Sequence, residues 1–425
     1  MKKLLASLTA VCLISACTVS LGGCNTNDNT ENNNAPECTH TAATYKGDAN
    51  SHWKECGDCG EKFGETPHAS YDAENRKDNA ICPVCNYKFY TFGLSYGLGI
   101  TDAAIVYSKY VTDTEIYIPD TLHGMTVTGI FGAFEGYENI TSVRIPDTVT
   151  DIGYNAFKNC KSLKEITLPE GLIHLGTEAF AGCTSLESVT VPKNVEDILN
   201  AFKGCTNLKR ITIQCSADRI YYDAFNGCES LEEIVIPDDV KVINDNAFKD
   251  CKTLKEIALP EGVEFLGKDV FAGCVSLEKI KLPESLNDIR PRTFEGCDKL
   301  IFNENANGYY LGSEANPYLM LMKVMDVTAA EFTINENCKF IYDGAFKGCA
   351  NLESIVIHEN VLSIGVGAFE GCSALTYVTV EDAKWWSPLI GNGFSDPREM
   401  DLRNPEKAAT YLKESLTCWW YHTVN

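Results

Sequence analysis

The sequence predicts a repeat solenoid that is mainly β-structure, with parallel strands, short helical turns and capped ends. One motif, A-F-x-G-C-x-x-L-x-x-I-x-I-P-x-x-V-x-x-I-G, recurs through most of the 425 residues. Its phenylalanines are 23 residues apart, except for one step of 22 and one of 52. A fixed period of about 20–29 residues with regular leucines is typical of leucine-rich repeats. The ten phenylalanines are Phe134, Phe157, Phe180, Phe202, Phe225, Phe248, Phe271, Phe294, Phe346 and Phe369.

Each repeat is expected to bury its regular apolar residues against those of the next repeat. Ile166 and Leu168 alternate with Thr167, which predicts a strand with one face inward and one outward. Pro169 then ends the strand without removing a hydrogen bond from its interior. Phe180 re-enters the core from a short helical turn. The repeats therefore predict one continuous array over residues 131–381 rather than several globular domains.

Nine cysteines recur once per repeat, and they admit two interpretations. Disulfides could join successive coils, or the thiols could form a buried column of small apolar groups. We favour buried thiols, because nine is an odd number and every cysteine has equivalent neighbours above and below. These residues are Cys160, Cys183, Cys205, Cys228, Cys251, Cys274, Cys297, Cys349 and Cys372.

The motif resembles the BspA-like leucine-rich repeat family of bacterial surface proteins over residues 87–425. Both the period and the Phe–Gly–Cys block carry this resemblance. The resemblance implies surface exposure and adhesion or ligand binding rather than catalysis. It supplies no functional residues that can be transferred to this chain.

The first 23 residues have the features of an export signal. Two lysines precede an apolar run that is too short for a permanent membrane helix. The stretch before Cys24 resembles a bacterial lipobox, which implies acylation of Cys24 and attachment to the outer face of the membrane. Cys17 is the alternative lipidation site, and cleavage without lipidation is the simpler possibility. Residues 24–37 form a polar segment that we expect to be a disordered tether.

Residues 38–90 have the composition of a zinc-ribbon-like module. Two C-x-x-C pairs lie 22 residues apart, a spacing typical of structural zinc sites. Two disulfides are the alternative in an exported protein, but they leave three nearby histidines without a role. Whether the ligands form one zinc site or two stays open. The candidate ligands are Cys38, His40, His52, Cys56, Cys59, His68, Cys82 and Cys85.

The sequence predicts irregular ends and one long interruption in the array. We expect an irregular first repeat and cap over residues 91–130, and a C-terminal cap over residues 382–425. Within that cap, Asn404 and Pro405 predict the start of a helix. The long gap between phenylalanines predicts a hairpin insert at about residues 300–335. It could add to a binding face or only join the next coil to the array.

The step of 22 residues, between Phe180 and Phe202, predicts a local kink.

Charge and motif content limit the possible functions. The net charge of −23 argues against nucleic acid and against electrostatic adhesion to an anionic membrane. The sequence holds no G-x-S-x-G, P-loop, H-E-x-x-H or dinucleotide glycine motif, so we do not expect an enzyme. Alternatives are a metal-handling lipoprotein that uses residues 38–85, or a hydrolase with an unrecognised site.

We therefore expect a monomeric surface protein whose outward strand positions bind an extracellular protein or glycan. These positions form one row along the array, with one residue from each regular coil. The predicted row consists of Arg144, Thr167, Thr190, Thr212, Val235, Ala258, Lys281, Val356 and Thr379.

Overall fold

The structure is a computed structural model, and the chain divides into two compact units, Met1–Phe89 and Tyr90–Asn425. The residues that it describes are 43–47, 51–56, 62–67, 91–95, 103–109, 114–122, 125–381, 386–390, 394–395, 402–414 and 418–422.

The described part of the first unit is a three-stranded antiparallel sheet in the order β1-β2-β3. Its strands are β1 (Ala43–Gly47), β2 (Ser51–Cys56) and β3 (Lys62–Pro67). In this sheet Cys56 pairs with Ala43, whereas His52 pairs with Gly47 at the other end of β1.

The second unit is a parallel β-solenoid of about eleven coils, with one short helix in the described residues, α1 (Pro405–Glu414). Its strands are β4 (Thr91–Ser95), β5 (Ala103–Lys109), β6 (Glu115–Tyr117), β7 (Thr121–Leu122), β8 (Met125–Ile130), β9 (Ser142–Arg144), β10 (Asp151–Ile152), β11 (Glu165–Ile166), β12 (His174–Leu175), β13 (Ser188–Val191), β14 (Arg210–Ile213), β15 (Arg219–Ile220), β16 (Glu233–Ile234), β17 (Val242–Ile243), β18 (Glu256–Ala258), β19 (Phe265–Leu266), β20 (Lys279–Lys281), β21 (Asp288–Ile289), β22 (Asn303–Asn305), β23 (Gly308–Leu311), β24 (Met320–Val324), β25 (Phe340–Ile341), β26 (Ser354–Ile357), β27 (Ser363–Ile364), β28 (Tyr377–Val380), β29 (Trp386–Ile390), β30 (Phe394–Ser395) and β31 (Cys418–His422).

Two ladders of parallel strands run along the solenoid. The I-x-I segments form the first, which we call the front ladder: β6-β9-β11-β13-β14-β16, then β18-β20 and β26-β28. The segments before the motif's last glycine form the second ladder, which includes β8-β10-β12, β15-β17-β19-β21 and β24-β25-β27. This glycine is needed where coils approach closely, because a Cβ on Gly176 would lie 2.5 Å from the carbonyl carbon of Gly153.

A column of phenylalanines fills the core between these ladders, as the sequence predicts. Neighbouring rings are nearly parallel, and their centroids are 5.2 Å apart for Phe134 and Phe157 and 5.3 Å for Phe157 and Phe180. All ten side chains are buried. The backbone of this segment also joins the coils, since the N–H of Phe157 donates to the carbonyl of Ala179 at 2.7 Å.

The predicted kink is a break in the second ladder. A single bridge joins Leu175 to Ile198, and no pairing within the described residues continues from Ile198 to β15. The ring of Phe202 is 5.8 Å and 6.3 Å from its two neighbours, wider than the spacing before it. The front ladder continues across this coil through four paired residues of β13 and β14. The missing residue therefore disturbs one side of the solenoid and leaves the front ladder intact.

The repeat cysteines form a buried column of free thiols. In eight of them, the thiol donates to the carbonyl of the phenylalanine in the preceding coil, as Cys160 does to Phe134 at 3.1 Å. The other seven distances are 3.1–3.4 Å. The cysteine thus fills a small apolar space and supplies a donor to a buried carbonyl, in agreement with the packing interpretation.

The insert forms a three-stranded antiparallel meander, β22-β23-β24, rather than the two-stranded hairpin that the sequence predicts. Its last strand, β24, pairs in parallel with β25 and thereby re-enters the second ladder. Side chains of the meander alternate between two hydrophobic cores: Leu311 and Met320 pack into the first core, and Tyr310 and Leu321 into the second. The meander is therefore a structural joint that contributes to both cores.

Tyr342 replaces a missing phenylalanine at this joint. Its ring lies 6.0 Å from that of Phe294, and its hydroxyl accepts a hydrogen bond from the backbone N–H of Phe294 at 2.9 Å. Burial raises the pKa of Tyr342 well above its usual range. The side chain thus provides both the ring and the acceptor that a regular coil would provide.

We expect Tyr342→Phe to lower the free energy of unfolding by about 1–3 kcal/mol, because the buried N–H of Phe294 loses its acceptor. Urea unfolding followed by circular dichroism measures this change. Tyr154→Phe is the control, because Tyr154 is 66% exposed. Equal stability of the two variants would contradict this role for the hydroxyl.

The C-terminal helix begins as predicted. The Asn404 side chain accepts hydrogen bonds from the N–H groups of Glu406 and Lys407 at 3.1 and 3.0 Å, which is an N-cap. Ala408, Ala409 and Leu412 of α1 are buried in the second core. The helix packs against β28 and covers the last repeat.

Candidate functional site

The candidate site is the outward surface of the front ladder, which we call the front face. Alternation along each strand creates it: in β13, Val189 and Val191 are buried whereas Ser188 and Thr190 are exposed. Neighbouring strands of a ladder lie about 4.8 Å apart. Side chains at equivalent positions therefore form straight rows across the coils.

The structure places the predicted row on the front face. Eight of its nine residues are exposed, and Val235 reaches 74% exposure. The ninth, Thr379, is half-buried and lies on β28, the strand that α1 packs against. The registers Thr190–Thr212 and Ala258–Lys281 confirm that consecutive members of the row are direct neighbours.

Two further residues belong to the row and were not in the prediction. Tyr117 is 41% exposed and pairs with Arg144, whose guanidinium lies 5.2 Å from the ring centroid. Thr333 is exposed between the buried residues Phe332 and Ile334. The sequence signal was present, because Glu331-Phe-Thr-Ile334 repeats the pattern of Glu165-Ile-Thr-Leu168.

Both signs of charge occur on and beside this row, and some of the charges are paired. Lys209 lies 3.1 Å from Glu187, and Lys281 lies 2.7 Å from Glu261. These pairs are solvent-exposed and contribute little to stability. The front face therefore offers hydroxyl groups, short apolar side chains and compensated charges, with no continuous basic or acidic stripe.

Val356 differs from the rest of the row because it borders a cleft. The cleft has a volume of about 350 Å³ and lies between residues 331–334 and β26. Its lining also includes Ser354 and His358. No sequence pattern indicated a cleft at this point.

The repeat cysteines are not candidate nucleophiles. Burial raises the pKa of Cys160 and of Cys228 to about 12. A reactive cysteine needs an accessible thiolate at neutral pH, whereas these thiols are protonated and buried. They serve packing in every coil.

One exposed histidine of the solenoid has carboxylates beside it. His174 is exposed and lies 3.5 Å from Glu196 and 3.9 Å from Asp151. Among the described residues, no group of three or more His, Cys, Asp or Glu side chains could hold a metal ion. In the same part of the chain, no helix has the length and apolar character needed to cross a bilayer.

The lipidation and metal predictions fall largely outside the described residues. Of the metal candidates, His52 and Cys56 lie within β2, where the structure describes the backbone. The predicted residues outside the described ranges are Cys24, Cys38, His40, Cys59, His68, Cys82 and Cys85.

Comparison with protein-family models gives one match. The model of the BspA type leucine rich repeat region matches with six copies, at residues 130–252, 199–301 and 326–384. Together these ranges cover more than half of the chain. A comparison with curated proteins gives no match.

Several solved structures are similar to this chain. A leucine-rich repeat protein from Bacteroides ovatus is 27% identical, with 68% of this chain and 69% of that chain covered and a TM-score of 0.43. A leucine rich cell surface protein from Faecalibacterium prausnitzii is 23% identical, with coverages of 69% and 94% and a TM-score of 0.30. The Pneumococcal vaccine antigen PcpA is 18% identical, with coverages of 72% and 71% and a TM-score of 0.35.

Proposed function

The chain belongs to the BspA-type leucine-rich repeat family, and on this premise we propose that it is a non-enzymatic surface protein whose front face binds an extracellular protein or glycan. One observation carries the proposal: the front row stays exposed from coil to coil while the apolar positions of the repeat are buried. The side chains of this row do not pack in the core. The row is a surface available to a partner.

The form of the front face favours an extended partner. Rows of side chains about 4.8 Å apart present many equivalent contacts along one direction. A small molecule would bury its surface in a concave pocket instead. Thr167, Thr190 and Thr212 can donate and accept hydrogen bonds, and Val235 and Ala258 can contact apolar groups.

We expect Thr190→Glu to weaken binding of the partner by at least about tenfold, because the added charge must be desolvated in the interface. A screen of the full chain against immobilised matrix proteins and glycans identifies the partner, and surface plasmon resonance then compares the variants. Thr177→Glu is the matched control, since Thr177 is also exposed but lies outside the front row. Equal affinities of the two variants would contradict binding at the front face.

Attachment to the cell is a second part of the proposal. Acylation of Cys24 would hold the protein on the outer face of a bacterial membrane, and the polar residues 24–37 would separate the solenoid from the bilayer. Release of the Cys24→Ser chain from membranes, with retention of the Cys17→Ser chain, would identify Cys24 as the anchor. The reverse result would assign Cys17.

We also propose that residues 38–90 hold structural zinc in two separate sites. His52 and Cys56 lie four residues apart in one strand, β2, and at about 3.3 Å per residue their Cα atoms are up to roughly 13 Å apart, with a shift of register between His52 and Lys54. One zinc ion shared by both would require the two side chains and metal bonds of only about 2.1–2.3 Å to bridge this separation, so we assign the two residues to different sites. If both are ligands, eight candidates divide naturally into four and four.

We expect about two zinc ions per full chain, and about one after either His52→Ala or Cys56→Ala. Inductively coupled plasma mass spectrometry of the purified chain measures this content. His174→Ala is the control because it lies in the solenoid. Purified chain without zinc, with the cysteines of residues 38–85 oxidised, would favour disulfides instead.

A further inference from the structure

We infer that the cleft beside Val356 is a binding site for one neutral sugar residue. The inference rests on the proposed function, because the cleft opens on the front face and would receive one unit of a bound glycan. The cleft would then be the position on the front face where recognition of the glycan is most specific.

The cleft lies between two neighbouring coils. At one end a single β-bridge joins Glu331 to Ser354. At the other end the Nε2 atom of His358 lies 3.0 Å from the carbonyl oxygen of Asn335. Between these points Thr333 and Val356 are not paired. In the front ladder some equivalent neighbours are paired, as Thr190 and Thr212 are, and others, such as Thr167 and Thr190, are not.

Hydrogen bonds join one side of the cleft to the meander. The backbone N–H of Asn335 donates to the hydroxyl of Tyr310 at 3.3 Å, and its side-chain amide donates to the side chain of Asn305 at 3.1 Å. On the other side of the cleft β26 pairs with β28 over four residues. The two sides of the cleft are therefore held by different parts of the structure.

The cleft has an apolar floor and a polar rim. Phe332, Ile334 and Ile355 line it and are each at least 90% buried, so their contribution to its surface is small and apolar. The exposed residues Glu331 and Ser354 lie at the bridged end. Such a site suits a ring that has an apolar face of C–H groups and hydroxyls around its edge.

His358 closes the second end of this lining. Because a carbonyl oxygen can only accept, Nε2 carries the proton in its contact with Asn335. The Nδ1 atom is buried and has almost no accessible surface. A ligand in the cleft would therefore contact the ring of His358 and not its Nδ1 atom.

The charge of the lining selects among possible ligands. It contains the carboxylate of Glu331 and no lysine or arginine. An acidic sugar or a phosphate would therefore meet an uncompensated negative charge, whereas the hydroxyls of a neutral sugar can donate to Glu331 and form hydrogen bonds with the hydroxyls of Thr333 and Ser354. The volume of about 350 Å³ is near the lower end of small-molecule sites, so it suits one ring rather than an oligosaccharide.

Saturation-transfer NMR of the full chain with methyl glycosides of neutral hexoses and N-acetylhexosamines tests this inference. We expect at least one of them to bind, and sialic acid not to bind. Val356→Trp, which fills the cleft, should raise the Kd by at least about tenfold. Val275→Trp is the matched control, because Val275 is as exposed as Val356, at 48%, but lies outside the front row and the cleft. It should leave the Kd within about twofold.

Three results would overturn the inference: no neutral glycoside binds, Val356→Trp and Val275→Trp weaken binding equally, or an unstructured peptide binds in the cleft instead. Circular dichroism verifies that both variants are folded. The sugar-binding test can fail without contradicting the proposed function of the front face. A macromolecular partner that is lost with Thr190→Glu but kept with Val356→Trp would support the front face and exclude the cleft.

Discussion

Raising the pH above about 9 is expected to unfold the solenoid over a narrow range, because its buried thiols can ionise only after unfolding. Burial raises the pKa of five cysteines from 9.0 to about 12; these are Cys160, Cys228, Cys297, Cys338 and Cys372. In the unfolded chain these thiols lose their protons near pH 9. The folded state therefore binds more protons between pH 9 and pH 12, and the free energy of unfolding falls as the pH rises.

The size of this effect follows from the number of thiols. Each one lowers the free energy of unfolding by about 1.4 kcal/mol per pH unit above pH 9, so the five together lower it by about 7 kcal/mol per pH unit. Burial also raises the pKa of Cys183, Cys205, Cys251 and Cys274, and these thiols add to the effect. The pKa of Tyr310, raised by burial to about 12, acts in the same direction at higher pH. Below pH 9 the stabilisation is fully present. A domain with a stability of about 5–15 kcal/mol should then unfold within about one to two pH units.

Urea unfolding at a series of pH values measures this dependence. The variant Cys228→Ala is the test, because one thiol fewer should reduce the slope by about 1.4 kcal/mol per pH unit. The slope is informative even if the substitution also lowers the stability at neutral pH. A stability that is constant between pH 8 and about pH 10 would contradict buried, protonated thiols.

Phe180→Ala is expected to lower the free energy of unfolding by about 3–5 kcal/mol, because it leaves a cavity in the phenylalanine column. The Phe180 ring is fully buried and stacks on Phe157 at 5.3 Å and on Phe202 at 5.8 Å. Its removal takes away contacts on both sides. Since each repeat contacts only its neighbours, the loss acts on three consecutive coils.

Denaturant midpoints from circular dichroism measure this loss. Tyr154→Ala removes an aromatic ring of similar size that is 66% exposed, and it should change the stability by no more than about 0.5 kcal/mol. A comparable loss in both variants would mean that the column does not carry the stability of the array.

The repeated features could be predicted from the sequence because each one depends on nearby residues and recurs. Thr190 is outward because it alternates with Val189 and Val191, and this alternation is visible in any single repeat. The interpretation of the cysteines as packing residues also followed from their repetition. The N-cap at Asn404 is local too, since it satisfies N–H groups two and three residues later.

The irregular parts of the array could be located from the sequence, but their structures could not be predicted from it. The gap between Phe294 and Phe346 indicated an insert, yet the sequence did not show that Tyr342 completes the aromatic column or that β24 re-enters the second ladder. The step of 22 residues indicated a kink, and only the structure showed that it breaks the second ladder and leaves the front ladder continuous.

The sequence by itself determined the solenoid, its period, its buried columns and most of its front row, because these depend on contacts that repeat every 23 residues. Tertiary structure decided where that row opens into a cleft. One side of the cleft is held by hydrogen bonds from Asn335 to Tyr310 and Asn305, which lie 25 and 30 residues earlier in the chain. These contacts occur once and follow no period, so no pattern in the sequence could predict them.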